Sequence, residues 1–419
     1  MEKPSLFPHT HSFLLVLGGL FLLFLLHLGV CYGEYRHWKA KPFYFTSATV
    51  LKSGITQKHN HRYGWLKVKT KEGFVTFFST SQTPPLAGEK IRVVLFFSQL
   101  DFFSYLSQRG YLKGRVVEVY PHEKRLKEKI KQYIASYHQN PNIASFYEAI
   151  FLAEPLSSSV REAVSALGVS HLVALSGFHL GILWWLFYTL LVKLYTPIQQ
   201  SLFPYRFALF DVGLIVLVFL ALYVWFVGMP PSLMRAYGML LVGWILYIRG
   251  VSFLSFSFLL FVFALLVVLF PALLFSLSFW FSLAGVFYIF LLLEYTASWN
   301  KWLLQLLVIP LGIFLLMLPI VHTIFPITTP LQALSWILSL LFIPFYPLAL
   351  LFHLLGWGGW ADDALVWLFT YPTQTHSSTL PMWLGGGYLL LSFIAIHQKW
   401  AFKLLLLSAI SYALWLFGG

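Results

Sequence analysis

The sequence predicts a polytopic α-helical membrane protein that carries a small N-terminal soluble β-barrel domain of the OB type. Hydrophobic residues make up 59% of the chain and charged residues only 10%, so lipid must cover most of the apolar surface. The apolar segments are continuous runs that can cross a bilayer, which excludes the alternating pattern of a membrane barrel. One hydrophilic segment, residues 34–121, lies between the first of these runs and the others.

The first apolar run, Ser12 to Cys31, predicts a membrane anchor within residues 1–33. It has no cleavage site of small residues, so we expect it to be retained rather than removed as a signal peptide. Cys31 is the single cysteine of the chain, which excludes an internal disulfide and a cysteine-rich zinc site.

Residues 34–121 predict a basic β domain of five short strands. The segments YFTSATVL, GWLKVKT, GFVTFFST, EKIRVVLFF and LKGRVVEVY are rich in β-branched and aromatic residues and are separated by turn formers. Five strands of this length fit a small OB-type barrel, a fold that binds single-stranded nucleic acid on basic and aromatic surfaces. The candidate DNA-binding residues are Lys67, Lys69, Lys71, Arg92, Trp65 and Phe74.

The positive charge of the chain is concentrated in this region. Residues 34–134 contain 19 Lys and Arg against 7 Asp and Glu, which leaves the other three quarters of the chain almost neutral. Such a field suits a polyanion such as nucleic acid, or anionic lipid headgroups. A soluble domain that is basic only for solubility is the alternative.

Residues 122–168 predict helices at the membrane surface. In the segment 122–139, Leu126, Ile130 and Ile134 lie on one helical face and lysines cover the rest. Two shorter helices follow, within residues 140–154 and 155–168.

Residues 169–419 predict a bundle of transmembrane helices. We expect spans or half-spans near 177–195, 206–227, 232–249, 252–270, 272–296, 302–324, 331–357, 382–397 and 400–417. Prolines at 230, 231, 310, 319, 326, 330, 344 and 347 are expected to interrupt several of them. Interrupted helices are usual where a membrane protein builds a path for a solute.

The stretch SHLVALSGFHLGIL, residues 170–183, places polar residues inside an apolar run. His171 and His179 have no nearby carboxylate or cysteine, so they make a thin ligand set for zinc, and we expect no metal or other cofactor. Ser176 with His179 allows a serine-hydrolase interpretation. Ser176, Gly177 and Gly181 could also let two helices cross closely. The preferred interpretation is a helix broken at Ser176–Gly177 that lines a polar path.

Arg235 is the charged residue of the apolar half that is hardest to explain by contact with headgroups. It follows Pro230, Pro231 and Ser232, so we expect it in the first turn or so of a helix. A charge there should face the bundle interior or a water-filled cavity, although snorkelling to lipid phosphate is the alternative.

Four ordered motifs resemble those of the ComEC family of DNA-uptake proteins. The first, ALGVSHLVALSGFHLGIL, is similar to the family's signature at Leu167, Gly168, His171, Leu172, Ala174, Ser176, Gly177, His179 and Gly181. PPSLMRAYGM at 230–239 resembles the second block, FSLSFWFSLAGV at 275–286 the third, and TTPLQALSWILSLLFIPF loosely the fourth. The third block has Ser276 where the family has glutamine, and the fourth lacks its usual asparagine.

The resemblance implies an inner-membrane channel component that passes single-stranded DNA into the cytoplasm during natural transformation. It implies a DNA path shaped by His171, Ser176, Gly177, His179, Gly181, Pro231, Ser232, Arg235 and Ser278. It places the protein in the bacterial inner membrane with the OB-like domain on the periplasmic side. The implied partners are single-stranded DNA, the bilayer, a periplasmic DNA-binding competence protein and a cytoplasmic ATP-driven motor, with homo-oligomerisation left open.

Two departures bear on catalysis. The family's metallo-β-lactamase-like domain is expected to be missing, because no His-x-His-x-Asp-His run occurs, and no nucleotide-binding P-loop occurs either. We therefore expect a chain that is not an enzyme. The alternatives that remain open are an intramembrane serine hydrolase using Ser176 and His179, and a small-solute transporter.

Overall fold

The computed structural model describes residues 7, 9–58, 61–71, 75–80, 88–97, 100–108, 110–120, 126–251, 255–296, 298–371 and 375–418. The chain divides into two compact units. One contains Phe7–Glu128 with Phe263–Leu277, and the other contains Lys129–Val262 with Ser278–Gly419.

The first unit begins with a long apolar helix and continues into a five-stranded sheet. Helix α1 is Thr10–Lys39. The strands are β1 Tyr44–Lys58, β2 His61–Thr70, β3 Val75–Thr80, β4 Lys90–Phe96 and β5 Lys113–Tyr120, with a short helix α2, Phe102–Ser107, between β4 and β5. The five predicted strands are therefore confirmed.

The sheet curls towards a barrel. Its strand order is β3-β2-β1-β4-β5 with antiparallel pairs throughout. A parallel bridge joins Phe77 of β3 to Tyr111, just before β5. There the Phe77 amide donates to Gly110 O at 2.9 Å and the Leu112 amide donates to Phe77 O at 2.8 Å. This bridge brings together the two ends of the strand order, as in the partly open five-stranded barrel of the OB type.

Alternation along the strands separates a core from an outer face. The buried core consists of residues spaced two apart on β2 and β4 together with their neighbours: Leu66, Val68, Phe78, Ile91, Val93, Leu95, Phe97 and Leu112. The residues between them are half-buried or exposed, with Lys69 and Arg92 among the exposed ones. Because side chains of a strand alternate between faces, the lysines and arginines lie on the outer surface.

The second unit is helical. It starts with α3 Leu126–Ala135, α4 Pro141–Leu152, α5 Ser158–Ala166 and the four-residue α6 Ser170–Val173. The apolar helices that follow are α7 Gly177–Leu202, α8 Ala208–Phe226, α9 Pro231–Ile248, α10 Phe256–Leu269 and α11 Leu277–Thr296. The end of α10, from Phe263 onwards, and the first residue of α11, Leu277, are assigned to the first unit.

The remaining helices complete the bundle. They are α12 Lys301–Leu303, α13 Ile309–His322, α14 Ser335–Leu354, α15 Asp362–Thr370, α16 Met382–Ile394 and α17 Lys399–Gly418. In the described part of the chain, eight helices are long and apolar enough to cross a membrane, while α10 and α16 are shorter. The predicted polytopic class is confirmed.

Three of the eight prolines that were expected to interrupt helices do not do so, which corrects part of the sequence-based expectation. Helix α13 continues through Pro319, and α14 continues through Pro344 and Pro347. A proline removes one backbone donor, and neighbouring helices can satisfy the freed carbonyl, so a packed span tolerates it. The pattern of backbone hydrogen bonds does change before Pro310, where a π-helical turn, Leu304–Val308, joins α12 to α13.

Candidate functional site

The interruption predicted at Ser176–Gly177 is present in the structure. Helix α6 ends at Val173, and Ala174 has an extended backbone with φ −66° and ψ 122°. Ser176 is extended too, with φ −127° and ψ 174°, and α7 begins at Gly177. Residues 174–176 therefore form an extended linker between two helices, and its backbone groups need partners from side chains or other helices.

Ser176 and His179 close the N-terminus of α7 as a capping box. The Ser176 side chain accepts from the backbone N–H of the third helical residue, and His179 Nδ1 accepts from the Ser176 amide at 3.2 Å. Ser176 Oγ lies 3.1 Å from the same nitrogen. His179 thus takes the position that Glu or Gln has in the usual capping box. Its ring is fully buried and stands edge-on to Phe342 and Tyr346 of α14.

Helix α9 holds the linker from a second side. Ser232 Oγ donates to Leu175 O at 2.6 Å, and this contact is buried. Pro231 occupies the first turn of α9, where its missing N–H costs no hydrogen bond. Two residues with positive φ, Gly228 at 91° and Met229 at 56°, turn the chain into this helix. The PPS sequence therefore starts α9 and ties its first turn to the linker.

Arg235 is a buried cation that connects three helices. It is 6% exposed. Its Nε donates to Ser282 Oγ of α11 at 2.7 Å, and Nη1 lies 3.0 Å from Met239 Sδ. Among the described residues, the ion pairs involve other side chains and none includes Arg235. Arg235 therefore faces the bundle interior, as expected, and does not snorkel to the membrane surface.

The two glycines of the motif have different surroundings, which corrects the interpretation of one close-crossing face. A Cβ on Gly177 would lie 3.0 Å from Ala236 Cβ and 3.0 Å from an Arg235 nitrogen, so α7 and α9 touch there. A Cβ on Gly181 would meet nothing within 4 Å. The small residues at four-residue spacing share a helical face, but α9 covers only the first of them.

The fourth sequence block reaches the same region from α14 and the turn before it. His171 Nε2 lies 3.2 Å from Ser339 Oγ, although the histidine is otherwise exposed. Thr329 Oγ1 donates to Ala166 O, and Gln332 Nε2 donates to Ser165 O at 3.2 Å. These bonds satisfy carbonyls at the C-terminus of α5, where helix carbonyls lack partners within the helix.

The four sequence blocks therefore meet around one interrupted helix. The predicted residues Ser176, Gly177, His179, Ser232 and Arg235 come together, with Pro231 beside them. His171 turns towards α14 instead, and Ser278 is exposed on α11, one turn before Ser282. The sequence reasoning missed Leu175, Ser282, Gln332, Ser339, Phe342 and Tyr346. Ser282 could have been found, since it lies four residues after Ser278 in the third block.

The histidines of this region do not converge on a metal. His171 contacts Ser339, whereas His179 contacts Ser176. Over the described ranges, no group of three or more His, Cys, Asp or Glu side chains is placed to hold a metal ion. His171 therefore joins α6 to α14, whereas His179 caps the start of its own helix.

A second candidate site lies on the outer face of β2 and β3. Trp65, Lys67, Phe77 and Tyr111 line a shallow cleft of about 510 Å³. The Trp65 and Phe77 rings lie 6.4 Å apart, and Lys67 Nζ lies 5.0 Å from the centre of the Phe77 ring. This combination of aromatic faces and a cation is what stacked bases and phosphates require.

The structure distributes the other predicted DNA-binding residues differently. Lys69 and Lys71 are exposed on β2 and just after it. Arg92 is exposed on β4, two strands away, and pairs in register with Glu118 of β5. Phe74 lies outside the described residues. Tyr111 was missed because it precedes β5 in sequence and joins the cleft only through the bridge to Phe77.

Comparison with protein-family models gives one match. The model for the competence protein family matches residues 153–418, which is more than half of the chain. The chain belongs to the competence protein family.

The family match explains why the four blocks converge. Residues 153–418 include all the helical elements that meet around the start of α7. This competence-family protein therefore has a role in DNA uptake for transformation, and the eight long apolar helices among the described residues make it a multi-pass membrane protein. No curated protein and no solved structure matches the chain.

Proposed function

We propose that this competence-family protein passes single-stranded DNA through the bacterial inner membrane during transformation. The observation that carries the proposal is the convergence of the four blocks on the interrupted helix at Ser176–Gly177, with Arg235 buried beside it. An intramembrane arginine held without a carboxylate among the described residues is costly and is typical of a solute path. His171, Gly181 and Ser278, which are exposed, would face the strand, while the buried residues hold the route open.

The strand would first bind the cleft on β2 and β3. Trp65 and Phe77 would stack bases without regard to sequence, and Lys67, Lys69 and Lys71 would neutralise phosphates. In OB-type barrels, the face of strands 2 and 3 is the usual nucleic-acid surface. Arg92 would contribute less, because Glu118 lies opposite it.

Binding to this cleft is testable with the full chain in detergent and a fluorescent oligo-dT. Trp65→Ala should weaken binding about 5- to 150-fold, since stacking is worth roughly 1–3 kcal/mol per base. Phe96→Ala is the matched control, because Phe96 is an exposed aromatic of the same sheet outside the cleft. Equal losses for both variants would contradict a role for the cleft.

The orientation is a separate proposal: the β domain lies on the periplasmic side. Replacing Cys31 by Ser and the exposed Lys113 by Cys gives one reactive site on β5. An impermeant maleimide should then label intact spheroplasts. Labelling that requires permeabilisation would place the domain inside, as the excess of positive charge would otherwise suggest.

We propose further that the chain is not an enzyme and that its motor is a cytoplasmic ATP-driven partner. Ser176 and His179 lie at hydrogen-bond distance, as a serine hydrolase would need. Their contacts are those of a helix cap, however, and His179 is completely buried. Ser176→Ala should keep most DNA uptake and lose only about 1 kcal/mol of stability, the usual value of an N-cap. Abolished uptake by a normally folded variant would favour the hydrolase.

The transport step itself is tested by tracking labelled DNA in a strain from which the gene is deleted. DNA should then reach the periplasm without entering the cytoplasm, and the full chain should restore entry. A periplasmic DNA-binding protein would hand over the strand, so its loss should stop uptake earlier. Normal cytoplasmic entry in the deletion strain would refute the channel and leave small-solute transport as the alternative.

A further inference from the structure

Three segments of the helical unit meet at a buried chain of ionisable side chains that the DNA path does not use. His138 lies between α3 and α4, His353 lies in the last turn of α14, and Asp362 is the first residue of α15. His138 Nδ1 is 2.9 Å and 3.0 Å from the two oxygens of Asp362. His138 Nε2 is 3.1 Å from His353 Nε2, and His353 Nδ1 is 2.7 Å from Ala349 O.

Aromatic rings enclose this chain. The His138 ring stacks on Tyr147 of α4 at 4.5 Å and 7°, and Tyr147 also contacts His353 at 4.6 Å. Tyr133 of α3 donates to His353 O at 2.9 Å. His138 is 9% exposed and His353 3%, so the hydrogen bonds of both rings must come mainly from their protein neighbours.

The contacts of the two imidazoles require one proton more than two neutral rings carry. Ala349 O can only accept, so His353 Nδ1 bears a hydrogen and the neutral ring leaves Nε2 as an acceptor. His138 Nε2 must then donate to it, which makes Nδ1 an acceptor in a neutral His138. Nδ1 faces a carboxylate, however, and a carboxylate is an acceptor as well. Three contacts need three hydrogens, and two neutral imidazoles supply two.

We propose that the His138–Asp362 pair is a proton-binding site, and that its bound proton joins the segment between α3 and α4 to α14 and α15. The proton lies between Nδ1 and the carboxylate, as an imidazolium–carboxylate pair or as a neutral ring with a carboxylic acid. In both forms all three contacts are satisfied and the pair has no net charge.

Loss of the proton must break one contact. If His138 keeps its hydrogen on Nδ1, the two Nε2 lone pairs face each other at 3.1 Å. If His353 instead moves its hydrogen to Nε2, the bond to Ala349 O is lost. Because the third contact exists only while the proton is bound, the contribution of the pair to stability is present at low pH and is lost as the pH rises.

Other ionisable groups also face His138, and their effects on the pH dependence of stability must be distinguished from that of the His138–Asp362 pair. Burial raises the pKa of Glu148 on α4, while Lys131 of α3, whose Nζ is 3.3 Å away, opposes this effect. A glutamate with a raised pKa also makes the folded state less stable as the pH rises, so it would give a slope of the same sign. Burial and the charge of Asp362 raise the pKa of Tyr147, which therefore stays neutral.

Replacing Asp362 by Asn tests the proposal sharply. The amide can turn its NH₂ group towards His138 Nδ1, which then accepts, so neutral rings satisfy all three contacts. The apparent melting temperature of the detergent-solubilised full chain, read from tryptophan fluorescence at a fixed heating rate, should fall between pH 6 and pH 9 in the wild type. It should fall about 2–3 °C less in Asp362→Asn.

Matched variants complete the test. The exposed His397→Gln should keep the wild-type slope, and Glu148→Gln should remove only the part that Glu148 itself contributes, since neither side chain contacts the His138–Asp362 pair. His138→Gln, a second way to remove the site, should lower the melting temperature at pH 6 and flatten the slope. A wild-type slope in both Asp362→Asn and His138→Gln would overturn the proposal, as would a slope that only Glu148→Gln removes.

Discussion

Gly177→Ala tests whether the start of α7 is packed against α9 as the structure shows. The added Cβ would lie 3.0 Å from Ala236 Cβ and from an Arg235 nitrogen. The arginine tip can move, but Ala236 is fixed to the backbone of α9, so the helices must separate by a few tenths of an ångström. Overpacking of this kind costs about 1–3 kcal/mol. The higher helix propensity of alanine offsets less than about 1 kcal/mol of it, because Gly177 is the first helical residue.

Gly181→Ala is the matched control, one helical turn further along. Its Cβ would meet nothing within 4 Å, so the same chemical change should stabilise the helix by up to about 1 kcal/mol. The two variants should therefore differ by about 1–4 kcal/mol, which for a chain of 419 residues is roughly 1–5 °C in apparent melting temperature. The assay is thermal unfolding of both purified variants in the same detergent. A Gly177→Ala protein as stable as Gly181→Ala would refute the packing argument.

Three further predictions concern the two candidate sites. Ser282→Ala removes the oxygen that accepts from Arg235 Nε at 2.7 Å. Thermal unfolding should show a loss of about 1.5–3 kcal/mol of stability, the usual contribution of a hydrogen bond to a charged group. An unchanged melting temperature would contradict the buried contact. Gly54→Ala would place a Cβ 2.7 Å from the indole of Trp65, so the ring must move and oligo-dT affinity should fall while the cleft keeps all its side chains. Lys67→Gln should reduce the slope of log affinity against log salt by about 0.7, measured by titration at four salt concentrations, if that lysine neutralises one phosphate.

The sequence predicted where the residues of the helical site lie better than it predicted which hydrogen bonds they make. The break at Ser176–Gly177 and the inward position of Arg235 were expected from polarity inside apolar runs. The role of His179 as the partner of Ser176 in a helix cap was not, because the hydrogen bonds that distinguish a cap from a catalytic pair depend on where the helix begins. The prolines were expected to break helices, yet three of them lie within α13 and α14.

In the β domain, too, the sequence located the elements but not all the contacts between them. Alternation and turn formers located all five strands and the exposed side of β2 with Lys67 and Trp65. They could not show that Tyr111 completes the cleft, since that depends on how far the sheet curls. They also grouped Arg92 with the lysines, whereas strand order separates it by two strands and places it opposite Glu118.

The sequence by itself determined the membrane class, the five strands and the four motifs, because composition and short-range periodicity are properties of neighbouring residues. Only the tertiary structure decided which motif residues touch. Gly177 and Gly181 are the same residue type on the same helix, and one is packed against α9 while the other is open. His138 and Asp362 are 224 residues apart in the chain. Their meeting follows from the packing of whole helices, where each contact depends on all the others, and no local pattern encodes it.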